Sequence, residues 1–428
     1  MAIRYWSARA ALYEISYDTG TNTPVVGETL NVVGAATETC VVQAWTVSGG
    51  SWAGNDATGK IWVYSASAAF VANFASGDDL ENVGNSLICN STSEETLKTG
   101  DWQVAGNWGS GEDPAVPVAN DTVVFDGRSV IVPTDGMLDS ESGATAQCTY
   151  DLLHFKEDWA YGVASAAEPL CCSPDKITID GTGTYYILCG KDNQSTDTDI
   201  DYLLINNKNA TVYIYSNAND VANTCEFTAV YLTAGSLYES FYSVDTDEHG
   251  VYVATLFVAP KDGKTGNATC YIAKDCYKVN GPVAGDIFMS EGTLTTDSMA
   301  DVIHFAGGTL NYGTDLAASP ETDLNIAELY LYGGTFNWYP DDSGDDAFIG
   351  IVRIYGGDFL ANASTNADRA KTLGGGAGSD MFIFQGAKVD LSNGRGNITL
   401  TAGSQLFNYG GTLILDSGAD ITLTYHTI

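Results

Sequence analysis

The chain has 428 residues, with 54 acidic against 18 basic side chains and a formal net charge of −36, yet 44% of it is hydrophobic. That apolar and aromatic content excludes a disordered chain, which cannot bury a core. The charge argues against nucleic acid and against anionic membranes as partners, because both are bound by Lys and Arg. What remains is a large acidic protein rich in Gly (47) and Tyr (24).

The opening residues Met1-Ala2-Ile3-Arg4-Tyr5-Trp6-Ser7 lack the apolar core of a signal peptide. Polar residues interrupt every apolar run well short of the roughly 18 residues that suggest a membrane span. The expectation is therefore a protein made in the cytoplasm. Nine Cys, an odd number, occur without any Cys-x-x-Cys, and His154, His249, His304 and His426 are scattered. Reduced, buried cysteines and no structural zinc are expected.

Helical periodicity is almost absent. Ser65 to Ala75 is the one stretch that reads as a short helix, and it reads equally as strand and turn. Before it, Val26-Gly27-Glu28-Thr29-Leu30 opens a strand, Gly49 to Asp56 is a turn-rich loop, and Lys60-Ile61-Trp62-Val63-Tyr64 alternates as a half-buried strand does. Ser76-Gly77-Asp78-Asp79-Leu80 repeats the Gly-acid-Leu opening. These features predict a small antiparallel β module over residues 1–97, ended by a Thr/Ser/Glu-rich connector.

Residues 98–150 hold Asp101-Trp102-Gln103-Val104-Ala105-Gly106-Asn107-Trp108 and then Asn120-Asp121-Thr122-Val123-Val124-Phe125-Asp126-Gly127. Trp102 and Trp108 are the candidates to cover the open end of a first coil. From 151 to 428 a loose repeat takes over: a short apolar strand, a Gly corner, then Thr, Ser or Asp before a large apolar residue. Ile303-His304-Phe305-Ala306-Gly307-Gly308-Thr309-Leu310 and Leu329-Tyr330-Leu331-Tyr332-Gly333-Gly334-Thr335-Phe336 are two copies. The corners at Gly308, Gly334 and Gly357 lie 26 and 23 residues apart, the length of one solenoid coil. The predicted fold class is all-β: a small N-terminal antiparallel β module followed by a right-handed parallel β-helix. The C-terminal run Ile421 to Ile428 carries no polar cap, which predicts a partner for that end.

Catalytic chemistry finds little support. Carboxylate pairs such as Glu321 and Asp323 are inevitable among so many acids, no Gly-x-Ser-x-Gly elbow occurs, and the Gly374–Ser379 loop lacks the Lys that phosphate binding needs. Calcium is the one cofactor worth considering. Asp197, Asp199 and Asp201 alternate along an extended segment, and Asp341, Asp342 and Asp345 surround a Gly turn, both offering hard oxygen ligands. Solvated acidic loops are the plainer alternative. The Asp245 loop fails as a calcium loop because its twelfth position is Leu256. Trp338 and Tyr339, beside the second acidic group, are candidates for stacking on sugar rings.

The Trp102–Gly127 segment, the upstream Gly-Glu-Thr-Leu and Gly-Ser-Trp-x-Gly module and the Gly-Gly-Thr corners together resemble bacteriophage virion surface and appendage proteins. The resemblance implies a non-enzymatic decoration protein or head or tail fibre, exposed on the virion surface and homotrimeric. Capsid or tail proteins are its implied partners, and host surface glycans a further one. It also implies that the module, or its aromatic first segment (Tyr5, Trp6, Tyr13, Tyr17), anchors the particle. A polysaccharide-binding or depolymerising tailspike is the alternative, and a bacterial adhesin or matrix protein the second.

Overall fold

A computed structural model describes residues 2–131 apart from 103, 110, 113, 119 and 130. It further describes 152–156, 174–189, 198–216, 225–239, 251–259, 268–272, 284–296, 300–312, 324–339, 347–361, 371–373, 380–392, 398–400 and 403–415. The protein is all-β, with 5% helix. It divides into two compact units, residues 1–159 and 160–428, so residues 98–159 go with the N-terminal module.

The first unit starts with β1 (Ile3–Tyr5), which takes no part in the module that follows it. Then come β2 (Leu12–Gly20), β3 (Thr29–Val32), β4 (Ala35–Gly49), β5 (Ala57–Tyr64), β6 (Asp79–Asn82) and β7 (Leu87–Ser91). They pair in the order β3-β6-β7-β2-β5-β4, and β4 pairs back onto β3, closing a six-stranded antiparallel barrel. Closure follows from alternation. Alternation is clear in β2 and β3, and Ile15, Leu30, Val42, Ile61, Val63, Leu80 and Ile88 meet inside. Each such side chain contributes about 1.5–3 kcal/mol by leaving water.

The ambiguous Ser65–Ala75 stretch resolves as a single helix, α1 (Ala68–Asn73). Ser67 caps it by accepting the Phe70 N–H, and Phe70 is driven into the barrel core. Two short strands, β8 (Thr96–Leu97) and β9 (Gly111–Glu112), lie against β2 and β4.

The first unit also holds a parallel stack. β1 pairs with β10 (Thr122–Phe125), and β10 with β11 (Leu152–Phe155). The barrel is therefore an insertion between the first and second strands of a parallel sheet, a placement the sequence reading did not foresee. Asp121 fastens the junction. Its Oδ1 accepts the Ala2 N–H at 2.8 Å, and its Oδ2 accepts Arg4 Nε at 3.2 Å.

The second unit is a parallel β-solenoid. One sheet stacks β12 (Lys176–Ile179), the N-terminal halves of β14 (Thr198–Ser216) and β15 (Cys225–Glu239), then β16 (Val251–Val258). The other stacks β13 (Gly183–Cys189), the C-terminal halves of β14 and β15, then β17 (Ala268–Ile272). Beyond that point each coil supplies separate strands. The first sheet continues through β18 (Ala284–Met289), β20 (Ala300–Phe305), β22 (Leu324–Leu331) and β24 (Ala347–Ile354). The second continues through β19 (Thr293–Thr296), β21 (Thr309–Tyr312), β23 (Thr335–Trp338) and β25 (Gly357–Ala361).

A short third stack joins the starts of β22 and β24 to β26 (Lys371–Leu373) and β29 (Ile398–Leu400). The first sheet then ends in β27 (Met381–Phe384) and β30 (Leu406–Tyr409), the second in β28 (Ala387–Asp390) and β31 (Thr412–Ile414).

Inside, residues stack in register: Leu256, Ile287, Ile303, Leu329, Val352 and Met381 form one fully buried column. The corner requires glycine. Gly308 and Gly334 have φ of +89° and +79°, and a Cβ on Gly334 would lie 2.7 Å from the Gly308 carbonyl oxygen of the coil before.

Candidate functional site

The inner positions of the described coils are filled, so their outward faces are the surfaces open to a partner. On the first sheet the outward residue in the middle of each strand forms a column in register: Tyr231, Phe257, Phe288, His304, Tyr330, Arg353, Phe382 and Phe407. Its rings stack from coil to coil. Tyr231–Phe257, Phe257–Phe288, Phe288–His304 and His304–Tyr330 are separated by 4.9, 5.3, 5.0 and 4.9 Å, with interplanar angles of 15° or less. Where the column reaches Arg353, the guanidinium continues it, 4.4 Å from the Phe382 ring centre.

Two residues further on, a second column begins: Tyr332, Tyr355, Phe384 and Tyr409, stacked at 5.2, 4.8 and 5.5 Å. Together the columns make an aromatic plate across β22, β24, β27 and β30. Tyr332 and Tyr355 are its most open members, 48% and 41% exposed. Stacking fixes how the plate meets its surroundings. The ring faces are spent on one another, so the plate offers ring edges, a comb whose teeth repeat at strand spacing.

Carboxylates border this face. The Tyr330 hydroxyl donates to Glu328 at 2.6 Å, and that bond, with partial burial and the negative charge, holds the phenol above its ordinary range. Partial burial, then repulsion from Asp286, raises Asp301.

The second sheet presents a different chemistry. Thr184, Thr211, Ser236, Thr269, Thr293, Thr309 and Thr335 occupy one register position in successive strands, a ladder of hydroxyl-bearing residues that the next two strands continue with Asp358 and Lys388. The adjoining column runs Tyr186, Tyr213, Tyr238, Tyr271, Thr295, Asn311 and Asn337 at the same registers. Asn337 donates to Asn311 at 2.9 Å, and Asn311 to Thr295 at 3.3 Å.

Several residues expected to act at the surface lie elsewhere. Trp338 is fully buried; it shares the inward parity of Phe336 on β23, so its ring is not offered to a sugar. Tyr339, the next residue, is half-buried and its N–H donates to the Tyr312 carbonyl at 2.7 Å. Trp6, Tyr13 and Tyr17 are interior residues of the first unit, which removes them as surface anchors.

Trp102 and Trp108 are buried and pack on each other at 4.4 Å and on Trp6 at 5.7 and 4.9 Å. Trp6 continues a parallel column through Phe125 and Phe155, the latter two stacked at 4.8 Å. Asp201 is exposed, and only the backbone of Asp199, in β14, is described. Asp197, Asp341, Asp342 and Asp345 lie outside the described residues, as do Glu321, Asp323, the Gly374–Ser379 loop and the Ile421–Ile428 run. No group of three or more His, Cys, Asp or Glu that could hold a metal ion occurs among the described residues. Among these residues, no helix is long and apolar enough to cross a membrane.

The aromatic plate escaped the sequence reading, although a signal for it exists. Each corner is preceded by an apolar–aromatic–apolar or equivalent triplet: Val230-Tyr231-Leu232, Ile287-Phe288-Met289, Ile303-His304-Phe305, Leu329-Tyr330-Leu331. Comparison with protein-family models, curated proteins and solved structures gives no match for this chain.

Proposed function

We propose that this protein is a non-enzymatic structural component of a bacteriophage virion, displayed on the particle surface as a decoration protein or a head or tail fibre. The observation that carries the reading is the parallel β-solenoid itself. Its inner space is filled by stacked side chains, and its information lies on long, repetitive outer faces. Such a rod is suited to project and to contact, and the net charge of −36 keeps many copies soluble and apart. The barrel serves as the attachment module in this reading. Cryo-electron microscopy of purified particles, with antibody labelling, tests it: the chain should occur at fixed stoichiometry on the outer surface. Its presence on uninfected cells, and absence from particles, would overturn it.

A second reading, polysaccharide binding, is favoured by the hydroxyl ladder of the second sheet. The row of hydroxyl and amide groups, uncharged as far as β23, suits a neutral polyhydroxylated chain better than an anionic one, which the molecule repels. Binding to a panel of neutral and acidic host glycans tests this, and preference for acidic glycans would sink it.

A further inference from the structure

We infer that the aromatic plate on the first sheet is a binding site for a small molecule, an extended planar aromatic cation lying flat across the strands. Size sets the scale of the occupant. The two columns run together over β22, β24, β27 and β30, and the most open rings there, Tyr332 and Tyr355, are 48% and 41% exposed. At roughly 4.8 Å per strand and roughly 6.6 Å between alternate residues, that part of the plate covers about 250 Å². A standard protein interface takes about 800 Å² from each partner, whereas a ligand of a few rings needs no more than the plate supplies.

The chemistry of the occupant follows from ring orientation. Along each column the rings stack face to face, and from one column to the other they lie side by side. Phe382–Phe384, Phe407–Tyr409 and Phe382–Tyr409 are 6.5, 6.4 and 6.3 Å apart at interplanar angles of 15°, 10° and 7°. The rings therefore turn their edges outward. A ring edge carries the positive rim of the quadrupole, and the group that complements it is the negative face of another ring. A flat aromatic ligand laid on the plate meets several edges at once, each in T-shaped geometry. Sugars stack on ring faces, and here the faces are taken.

Charge selects a cation. Asp286, Val302 and Glu328 share one register column, two residues before Phe288, His304 and Tyr330. Glu328 borders the plate directly, and Asp301 and Asp286 lie one and two strands further along the same margin, close enough to repel each other. These carboxylates outweigh the Arg353 guanidinium within the plate, and the chain as a whole carries −36. The positive group of the ligand belongs at that margin, with its rings over the edges. Opposite charges so exposed attract less as salt screens them. The site is independent of the virion reading.

Equilibrium dialysis of the full chain tests it, against thioflavin T, an extended planar aromatic cation, and Congo red, an extended planar anion, at about 0.05 M and about 0.5 M NaCl. Saturable binding of thioflavin T is expected, weaker at the higher salt and at least about tenfold tighter than that of Congo red. Tyr332→Ser/Tyr355→Ser should weaken it at least about tenfold, and Glu328→Gln about threefold. Tyr238→Ser, in the stacked Tyr213–Tyr238 pair of the second sheet, should leave it unchanged. Both positions of the double variant are exposed, and circular dichroism checks that it stays folded. Absence of saturable binding overturns the inference, as does equal or tighter binding of Congo red. Full affinity in the folded double variant, or equal loss in Tyr238→Ser, also overturns it.

Discussion

The barrel and the solenoid solve the same problem, a β-sheet with a buried face, in opposite ways. The barrel closes on itself: β3 pairs with both β4 and β6, no edge is left in the ring, and every core residue has its own set of neighbours. The solenoid never closes. Each coil repeats the inward residue types of the last, and its contacts are with the coil before and the coil after. The barrel is thus a cooperative whole, whereas damage to the solenoid is confined along its length. Turns differ accordingly. In the barrel, Gly77 has a φ of +98° and open space where a Cβ would go, while Gly334 in the solenoid meets backbone of the preceding coil.

Core truncation should expose the contrast most strongly. Phe336→Ala in β23 and Ile61→Ala in β5 should each cost about 2–5 kcal/mol in denaturant unfolding. Hydrogen exchange separates them. Faster exchange after Phe336→Ala should stay within neighbouring coils, and after Ile61→Ala it should spread through the whole barrel. Uniform acceleration across the solenoid would erase the distinction.

The corner glycines come next. Gly334→Ala combines a left-handed φ with a close approach to backbone and should cost about 2–4 kcal/mol. Gly77→Ala carries only the conformational term of roughly 1–2 kcal/mol. Equal losses in the two variants would mean that the coil before Gly334 gives way.

Asp121 sharpens the comparison at the join between the barrel and the parallel strands of the first unit. Burial pushes its pKa up, but hydrogen bonds from the Ala2 and Val118 N–H groups and from Arg4, with the guanidinium charge, outweigh this and leave it lowered. A carboxyl whose folded pKa is depressed contributes stability above its unfolded value of about 3.9 and loses it as pH falls through the lower folded value. Asp121→Asn should therefore cost about 1–3 kcal/mol at pH 7, and the cost should shrink as pH falls through the lowered folded value. A penalty that persists in acid would show that shape, not charge, holds the join.

The smallest effect is chemical. Burial, followed by the neighbouring Cys89, pushes the Cys40 thiol far above its usual range, and burial raises Cys89 to about 12, with Asp79 and Asp18 adding to it. Neither should be alkylated by iodoacetamide at pH 8 until the barrel opens, as peptide mapping would show. Labelling of Cys40 in the native protein would mean that the barrel breathes more freely than a closed ring should.

How much was legible in the sequence follows the same division. The solenoid announced itself because repetition amplifies a weak local signal: one Gly-Gly-Thr-apolar corner means little, but corners at Gly308, Gly334 and Gly357 fix a period. The same regularity could have corrected the reading of Trp338. Once Phe336 points inward after Thr335, the residue two along must do the same. The outward columns stayed hidden because a column exists only once coil lengths are aligned, and these vary between corners. The barrel was legible as an antiparallel module from its alternating strands, but its closure was not, since β3–β4–β6 pairing joins segments whose order no local pattern reveals. Least legible was β1, three residues long, whose partner strand comes after the whole barrel. The tie of its Arg4 to Asp121 spans 117 positions.

That separation bears on how the first unit assembles. Joining β1 to β10 in an unfolded chain would mean closing a very long loop, and contacts so distant in sequence slow folding. A folded barrel removes most of that distance. The Lys98 N–H donates to the Leu12 carbonyl, and the Ser7 N–H donates to the Asn107 carbonyl, so the chain leaves the barrel close to where it entered. Once the ring has formed, β1 and β10 are held as the two ends of a short clasp, and the Trp6–Trp108 contact snaps it shut. The barrel would then act as a splint for nucleation: it folds first, on its own local hairpins, and presents the β1–β10 pair ready-made for β11 to join.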